Sequence, residues 1–149
     1  YVEPALEIMK NTDLDIALIA GRFTLLDQVA QHELFPYALK NKIDISMGGV
    51  LNSGVLANPV AGATYNYLPA SDEIIARAAK IGAFLKERGV PLVAAALQFP
   101  LRHPAVTSVL TGPRTAAELR SNAEDFNRVL PANIWSELED AGLIEKIQA

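Results

Sequence analysis

Three short, largely apolar segments, each running into glycine, constrain this chain more than any other feature. They are Ile16–Ala20 ahead of Gly21, residues 43–47 ahead of Gly48 and Gly49, and residues 106–110 shortly before Gly112. Runs of about five residues have the length of strands rather than of helices. The first is apolar without a break, as a parallel strand covered on both faces should be. The other two admit Asp44, Ser46, Thr107 and Ser108 and carry a weaker form of the pattern.

Helical patterns lie between and after these runs. Residues 4–11 read as a short opening helix, and residues 28–41 as a weaker one interrupted at Pro36. Residues 72–88 give the clearest helix. Ser71 serves as its N-cap, Asp72 and Glu73 favour the positive end of its dipole, and Gly89 stops it. Its apolar stripe is Ile74, Ala78, Ile81 and Leu85. Residues 91–99 fit helix or strand, with the alanines favouring helix. Thr115-Ala116-Ala117-Glu118 is a capping-box pattern that opens a helix to about residue 128. Pro131 fits the first turn of a last helix, with Trp135 and Leu138 on its buried side.

The alternation predicts an α/β chain with right-handed crossovers. Three parallel strands leave open edges, so the sheet is expected to be completed by another segment. Residues 57–70 form one long loop with Pro59, Gly62, Pro69 and the trio Tyr65, Asn66 and Tyr67. Loops of this length are often functional. The chain begins with Tyr1 rather than Met and enters a helix at once, which reads as a chain cut out of something longer or processed at its start.

Of the 149 residues, 50% are hydrophobic, enough for a sizeable core in one domain. The 13 Lys and Arg are scattered through a chain of net charge -4, which gives no basic face for nucleic acid. Absence of cysteine excludes disulfides, thiolate metal sites and a thiol nucleophile. The longest apolar runs are far too short to span a bilayer, and a cytoplasmic protein is expected.

Two glycine-bearing turns attract chemistry. Gly48 to Gly54 follows a strand, where glycine admits a close ligand and successive amides can make an anion nest. Thr111 to Thr115 joins a strand to a capped helix, and a helix start beside Arg114 is a ready phosphate site. Each turn alone is also ordinary turn chemistry. Together they occupy the places where an eight-fold β/α barrel holds phosphate, if these strands are its last three. His32 and His103, the two histidines, read as structural or surface residues. Asp44, Asp72, Asp125 and Asp140 fall on different elements and share no motif.

Four ordered segments carry a resemblance. They are Gly21-Arg22-Phe23-Thr24-Leu25-Leu26-Asp27-Gln28, the stretch from Gly48 through Ala57, the stretch from Ala96 to Val106 containing His103-Pro104, and Gly112-Pro113-Arg114 with Asn122 beyond. The chain resembles the aldo-keto reductases across essentially its whole length, and within them the subgroup of sugar and pyridoxal dehydrogenases.

The resemblance implies the C-terminal half of a (β/α)8 TIM barrel, strands six to eight with flanking helices, over residues 1–149. It implies binding of NAD or NADP by Gly49, Leu51, Ser53 and Gly54 toward the pyrophosphate, and by Gly112, Arg114, Glu118 and Asn122 toward the adenosine, with Ser121 also in a motif place. Phe23, Tyr65, Asn66 and Tyr67 are implied at the substrate mouth, for an aldose, alcohol or aldehyde, with a pure packing role as the equal alternative for Phe23. Gly48 stands where the family often stacks an aromatic residue on the nicotinamide, and Ala20 where a glutamine often reaches the carboxamide. Gly112 and Glu118 stand where NADP-selective members often carry lysine and arginine, which favours NAD at least equally. The family's tetrad of Asp, Tyr, Lys and His belongs to the other half of its barrel, so no residue here takes a catalytic role. The 149-residue chain alone is expected to be inactive, and to associate with itself or with the missing half. The alternative reading is a non-catalytic nicotinamide-binding regulatory or interaction subunit of the same fold.

Overall fold

A computed structural model describes residues 2–148; the reading placed on Tyr1 lies outside them. Helix α1 (Val2–Asn11) lays Val2, Leu6 and Met9 on the core and leads into β1 (Ile16–Ala20). Helix α2 (Leu34–Asn41) then crosses to β2 (Asp44–Gly48). Strand β5 (Val106–Val109) pairs on the far side of β2, giving a parallel sheet of order β1-β2-β5. The register runs Ile16 to Asp44 through Ala20 to Gly48, and slips once beside Ile45 on the β5 side.

Pro36 does not interrupt a helix. It sits in the first turn of α2, where a missing N–H breaks no intrahelical bond. The break lies earlier, between a 3-10 turn at Val29–Gln31 and the start of α2.

The expected long loop also folds further than foreseen. Strands β3 (Thr64–Tyr65) and β4 (Leu68–Pro69) make a hairpin. Its two central residues, Asn66 and Tyr67, have φ of 51° and 65°. That two-residue turn matches the twist of the strands it joins, and asparagine tolerates it well.

Helix α3 (Asp72–Lys86) is capped as read: the Ser71 hydroxyl accepts from the Ile74 N–H at 3.3 Å, and Ala78, Ile81 and Leu85 are buried. Residues Leu92–Gln98 form helix α4, as the alanines favoured. Helix α5 (Ala116–Phe126) starts at Thr115 and buries no residue. Helix α6 (Ile134–Asp140) begins three residues after Pro131, so that proline closes the preceding turn instead of opening the helix. Ile134 and Leu138 are its buried residues, while Trp135 is half-buried between Phe99 and Arg102.

Among the described residues, only one face of the parallel sheet is covered. Ile19, Ile45, Met47 and Val106 enter the core, but Ile16 and Leu18 on the opposite face are 54% and 57% exposed. The unbroken apolar run of β1 foretold burial on both faces. Among the described residues nothing covers that second face.

His103 ties the middle of the core to the segment at Gln148. Its ring packs against Phe23 and Phe35, with centroids 5.7 and 4.6 Å away. Nδ1 accepts from the Ala105 N–H at 3.2 Å, and Nε2 donates to the Gln148 carbonyl at 2.9 Å. Both bonds suit the neutral ring, since a protonated Nδ1 could no longer accept. Burial accordingly pushes its pKa down from the usual 6.5.

Because the folded pKa is the lower one, the unfolded chain takes up the proton first as pH falls. The contribution is complete above about pH 6.5 and is lost as pH falls through the depressed folded value. In the full-length protein, His103→Ala should cost about 2–4 kcal/mol in urea unfolding at pH 8, through lost packing and orphaned partners. The wild-type advantage over the variant should shrink below pH 6. An unchanged difference across that range would contradict this role.

Candidate functional site

The site is built where the loops leaving β1 and β2 meet. Gly49 has φ +61°, and a Cβ placed on it would lie 3.2 Å from the backbone nitrogen of Gly21. Gly21 donates its N–H to the Gly48 carbonyl at 2.9 Å, carrying the ladder one residue past the strands. The two loops therefore touch backbone to backbone, and a side chain at Gly49 would prise them apart.

Beyond Leu51 the chain turns through Asn52–Gly54 with three positive φ values: 45° at Asn52, 59° at Ser53 and 111° at Gly54. Two successive non-glycine residues in the left-handed region are uncommon, and each costs on the order of 1 kcal/mol. The turn is held by its own hydrogen bonds and by the hairpin. Asn52 N–H donates to the Gly49 carbonyl and Gly54 N–H to the Leu51 carbonyl, both at 2.9 Å. Thr64 donates its hydroxyl to the Ser53 carbonyl, and the Tyr67 N–H donates to Ser53 Oγ at 3.0 Å. The anion nest read from this turn is thus changed: the amides of Asn52 and Gly54 serve the turn itself.

The third wall comes from β5. Leu110 N–H donates to the Met47 carbonyl at 2.8 Å, which holds the following loop against β2. Helix α5 then opens on Thr115, whose hydroxyl accepts from the Glu118 N–H at 3.1 Å. The Glu118 carboxylate turns back and accepts from the Arg114 N–H at 2.7 Å and from Arg114 Nη2 at 3.0 Å. These bonds, the backbone one foremost, hold its carboxyl below the ordinary range. The acidic half of the capping box therefore reaches one residue beyond the cap and pairs with the arginine proposed for phosphate.

Between these walls lies a cavity of about 730 Å³. Every residue expected to hold the cofactor lines it: Gly49, Leu51, Ser53 and Gly54 from one side, and Gly112, Arg114, Glu118 and Asn122 from the other. Asn66 and Tyr67 line it as well, the tyrosine 91% exposed at the hairpin tip.

Two expected substrate contacts do not line this cavity. Phe23 is fully buried against Phe35 and Phe99, each with a ring centroid 4.9 Å away, and serves the core. Tyr65 packs against the core beside Arg22, Asp27 and Arg77. Burial, helped by the Asp27 carboxylate, pushes its phenol upward, so it remains a neutral O–H.

The sequence reading passed over Asn52. It stands inside a quoted motif between singled-out neighbours, and nothing in spacing marks it. In the structure it lines the cavity while 2% exposed, and neither Nδ2 nor Oδ1 has a hydrogen-bond partner. An orphaned buried amide, a side-chain-free approach at Gly49 and an arginine at a helix start suit an elongated polar ligand such as a dinucleotide. The volume lies in the range of about 300–1,000 Å³ common for small-molecule sites. Among the described residues no group of His, Cys, Asp or Glu is placed to hold a metal ion, and no helix is long and apolar enough to cross a membrane.

Parallel strands whose carboxyl-end loops wall a cavity define an α/β protein with its candidate site at the strand ends. Within that class the chain belongs to the aldo/keto reductase family, whose sequence model matches residues 2–142. That membership implies a (β/α)8 barrel architecture for the family. It is 43% identical over 139 residues to pyridoxal 4-dehydrogenase of Microbacterium luteolum, covering 93% of this chain and 41% of that protein. It is 41% identical over 138 residues to D-threo-aldose 1-dehydrogenase of a Pseudomonas species, covering 91% and 42%. The chain thus spans about two fifths of the length of these curated relatives.

The contact at Gly49 gives a direct test in the full-length protein. Gly49→Ala should lose about 1–3 kcal/mol of stability in urea unfolding, because φ is strained and the facing atom is backbone. Gly112→Ala, with open space and no positive φ, should change stability by less than about 0.5 kcal/mol. Equal effects at the two glycines would contradict the close approach.

Proposed function

We propose that this chain is the cofactor-holding, C-terminal half of a (β/α)8-barrel oxidoreductase of the cytoplasm. The protein works on an aldose, alcohol or aldehyde with NAD or NADP. The observation that carries the reading is that all eight residues assigned to the cofactor from sequence motifs line one cavity. The two relatives, both dehydrogenases by name, support the reaction class. The uncovered apolar face at Ile16 and Leu18 supports the partial barrel, with the missing strands or a second copy as its cover.

A nicotinamide cofactor supplies hydride-transfer chemistry when bound. What these residues contribute is binding and orientation. Gly49 lets backbone close on the ligand, Ser53 offers a hydroxyl already oriented by the Tyr67 amide, and α5 presents its N-terminus with Arg114. Asn66 and Tyr67 guard the mouth on the substrate side. No residue here is assigned acid-base work, so the 149-residue chain alone is inactive.

Cofactor choice follows from the Arg114–Glu118 pair. The carboxylate opposes a 2′-phosphate and also occupies the arginine that would bind one. NAD should therefore serve at least as well as NADP. Steady-state kinetics of the full-length enzyme with both cofactors test this. Glu118→Ala should raise kcat/KM for NADP relative to NAD by about tenfold, as Arg114 becomes available. The isolated chain should give no turnover in the same assay. A wild-type preference for NADP of tenfold or more, or turnover by the isolated chain, would overturn the respective part.

A further inference from the structure

Asn52 presents a buried primary amide with nothing to bond. Both its side-chain atoms are buried and unpartnered, in a protein where the other buried polar side chains find partners among the described residues. Thr24 accepts from Leu26 and Asp27, Gln28 donates to the Thr24 carbonyl, and Gln31 binds Glu145. Buried polar groups are rarely left unmet, and an orphan calls for a partner from outside the chain. The residue also holds φ +45°, so its placement against the cavity is maintained at a conformational cost.

The surroundings show where that partner sits. Gly21, Asn52 and Asn66 all line the cavity. A Cβ built on Gly21 would lie 3.8 Å from Asn52 Nδ2 and 3.8 Å from Asn66 Oδ1. Gly21 has φ +67° and no side chain, which leaves the point between this donor and this acceptor open. A polar atom there reaches hydrogen-bonding distance after a modest side-chain shift. Of the two amides, Asn52 is the one whose side-chain atoms are both buried and unpartnered, so Asn52 is the group in need.

The chemistry of the amide selects its complement. It offers N–H donors and a carbonyl acceptor side by side. A carboxylate would satisfy the donor and repel the acceptor. A lone hydroxyl gives a single atom to serve both. A primary carboxamide meets both at once, N–H to carbonyl and carbonyl to N–H. The position agrees with this. Gly21 follows β1, two strand spacings, or about 9–10 Å, from β5 and the loop assigned to the adenosine end.

We propose that Asn52 is a cofactor-recognition residue that pairs amide to amide with the carboxamide of the nicotinamide half. This rests on the dinucleotide reading of the cavity. It places the recognition one loop away from Ala20, whose methyl group cannot hydrogen-bond.

Calorimetric titration of the full-length protein with three ligands tests it. NAD carries the carboxamide, its 3-acetylpyridine analogue keeps the carbonyl but replaces the amino group with methyl, and ADP-ribose lacks the ring. The wild type should bind NAD about tenfold tighter than the acetylpyridine analogue. Asn52→Gly accepts positive φ without strain and removes the amide. It should weaken NAD about tenfold, leave ADP-ribose within twofold and abolish the discrimination. Asn52→Asp, nearly isosteric, keeps an acceptor for the carboxamide N–H and loses the donor to its carbonyl, so it should weaken NAD while keeping the discrimination for the amino group. Equal weakening of all three ligands would make Asn52 a loop-shaping residue and overturn the proposal. So would an unchanged NAD affinity, or a wild type indifferent to the amino group. Failure of ADP-ribose to bind the wild type would instead remove the dinucleotide reading beneath it.

Discussion

The contact on which the site depends is the one between two glycines at the ends of neighbouring strands. Gly21 donates to the Gly48 carbonyl, and Gly49 sits so close to Gly21 that a Cβ would reach its nitrogen at 3.2 Å. This backbone contact continues the sheet beyond its last side chains and fixes the loop that runs on to Gly54. From there Ser53 engages the hairpin, which brings Asn66 and Tyr67 over the same cavity. Sheet geometry and cavity geometry are thus one constraint.

Behind that contact, a polar network ties the loop after β1 to the end of the chain. Thr24 closes its own turn through the amides of Leu26 and Asp27, and Arg22 pairs with Asp27 at 2.8 Å. Gln28 and Gln31 accept from the amides of Glu145 and Gln148, and His103 donates to the Gln148 carbonyl. Sequence-distant segments are held by side chains that are almost wholly buried, where a hydrogen bond left unmade is costly. The segment Arg22 to Gln28 is therefore primarily a structural brace, and its aromatic member Phe23 belongs to the core.

Much of this was legible in the sequence. The first strand, the caps at Ser71 and Thr115 and the helical state of residues 92–98 follow from local rules, because hydrophobic period and side-chain capping act within a few residues. The clustering of Gly49, Leu51, Ser53 and Gly54 with Gly112, Arg114, Glu118 and Asn122 followed from motif resemblance, which carries tertiary information that periodicity lacks. What escaped was set by longer-range packing. The hairpin at Thr64–Pro69 is two short strands of weak pattern. The burial of Phe23 depends on Phe35, Phe99 and His103 meeting around it. The pairing of Glu118 with Arg114 depends on a backbone amide outside the capping box, and the isolation of Asn52 on partners that are not there.

The central claim is that the turn after β2 and the start of α5 hold one and the same ligand. Hydrogen–deuterium exchange of the full-length protein, with and without saturating NAD, reads both at once. Protection appearing together across residues 48–54 and 111–122, with α1 and α6 unchanged, is the expected result. Protection confined to one of these segments, or found only elsewhere, would contradict the claim.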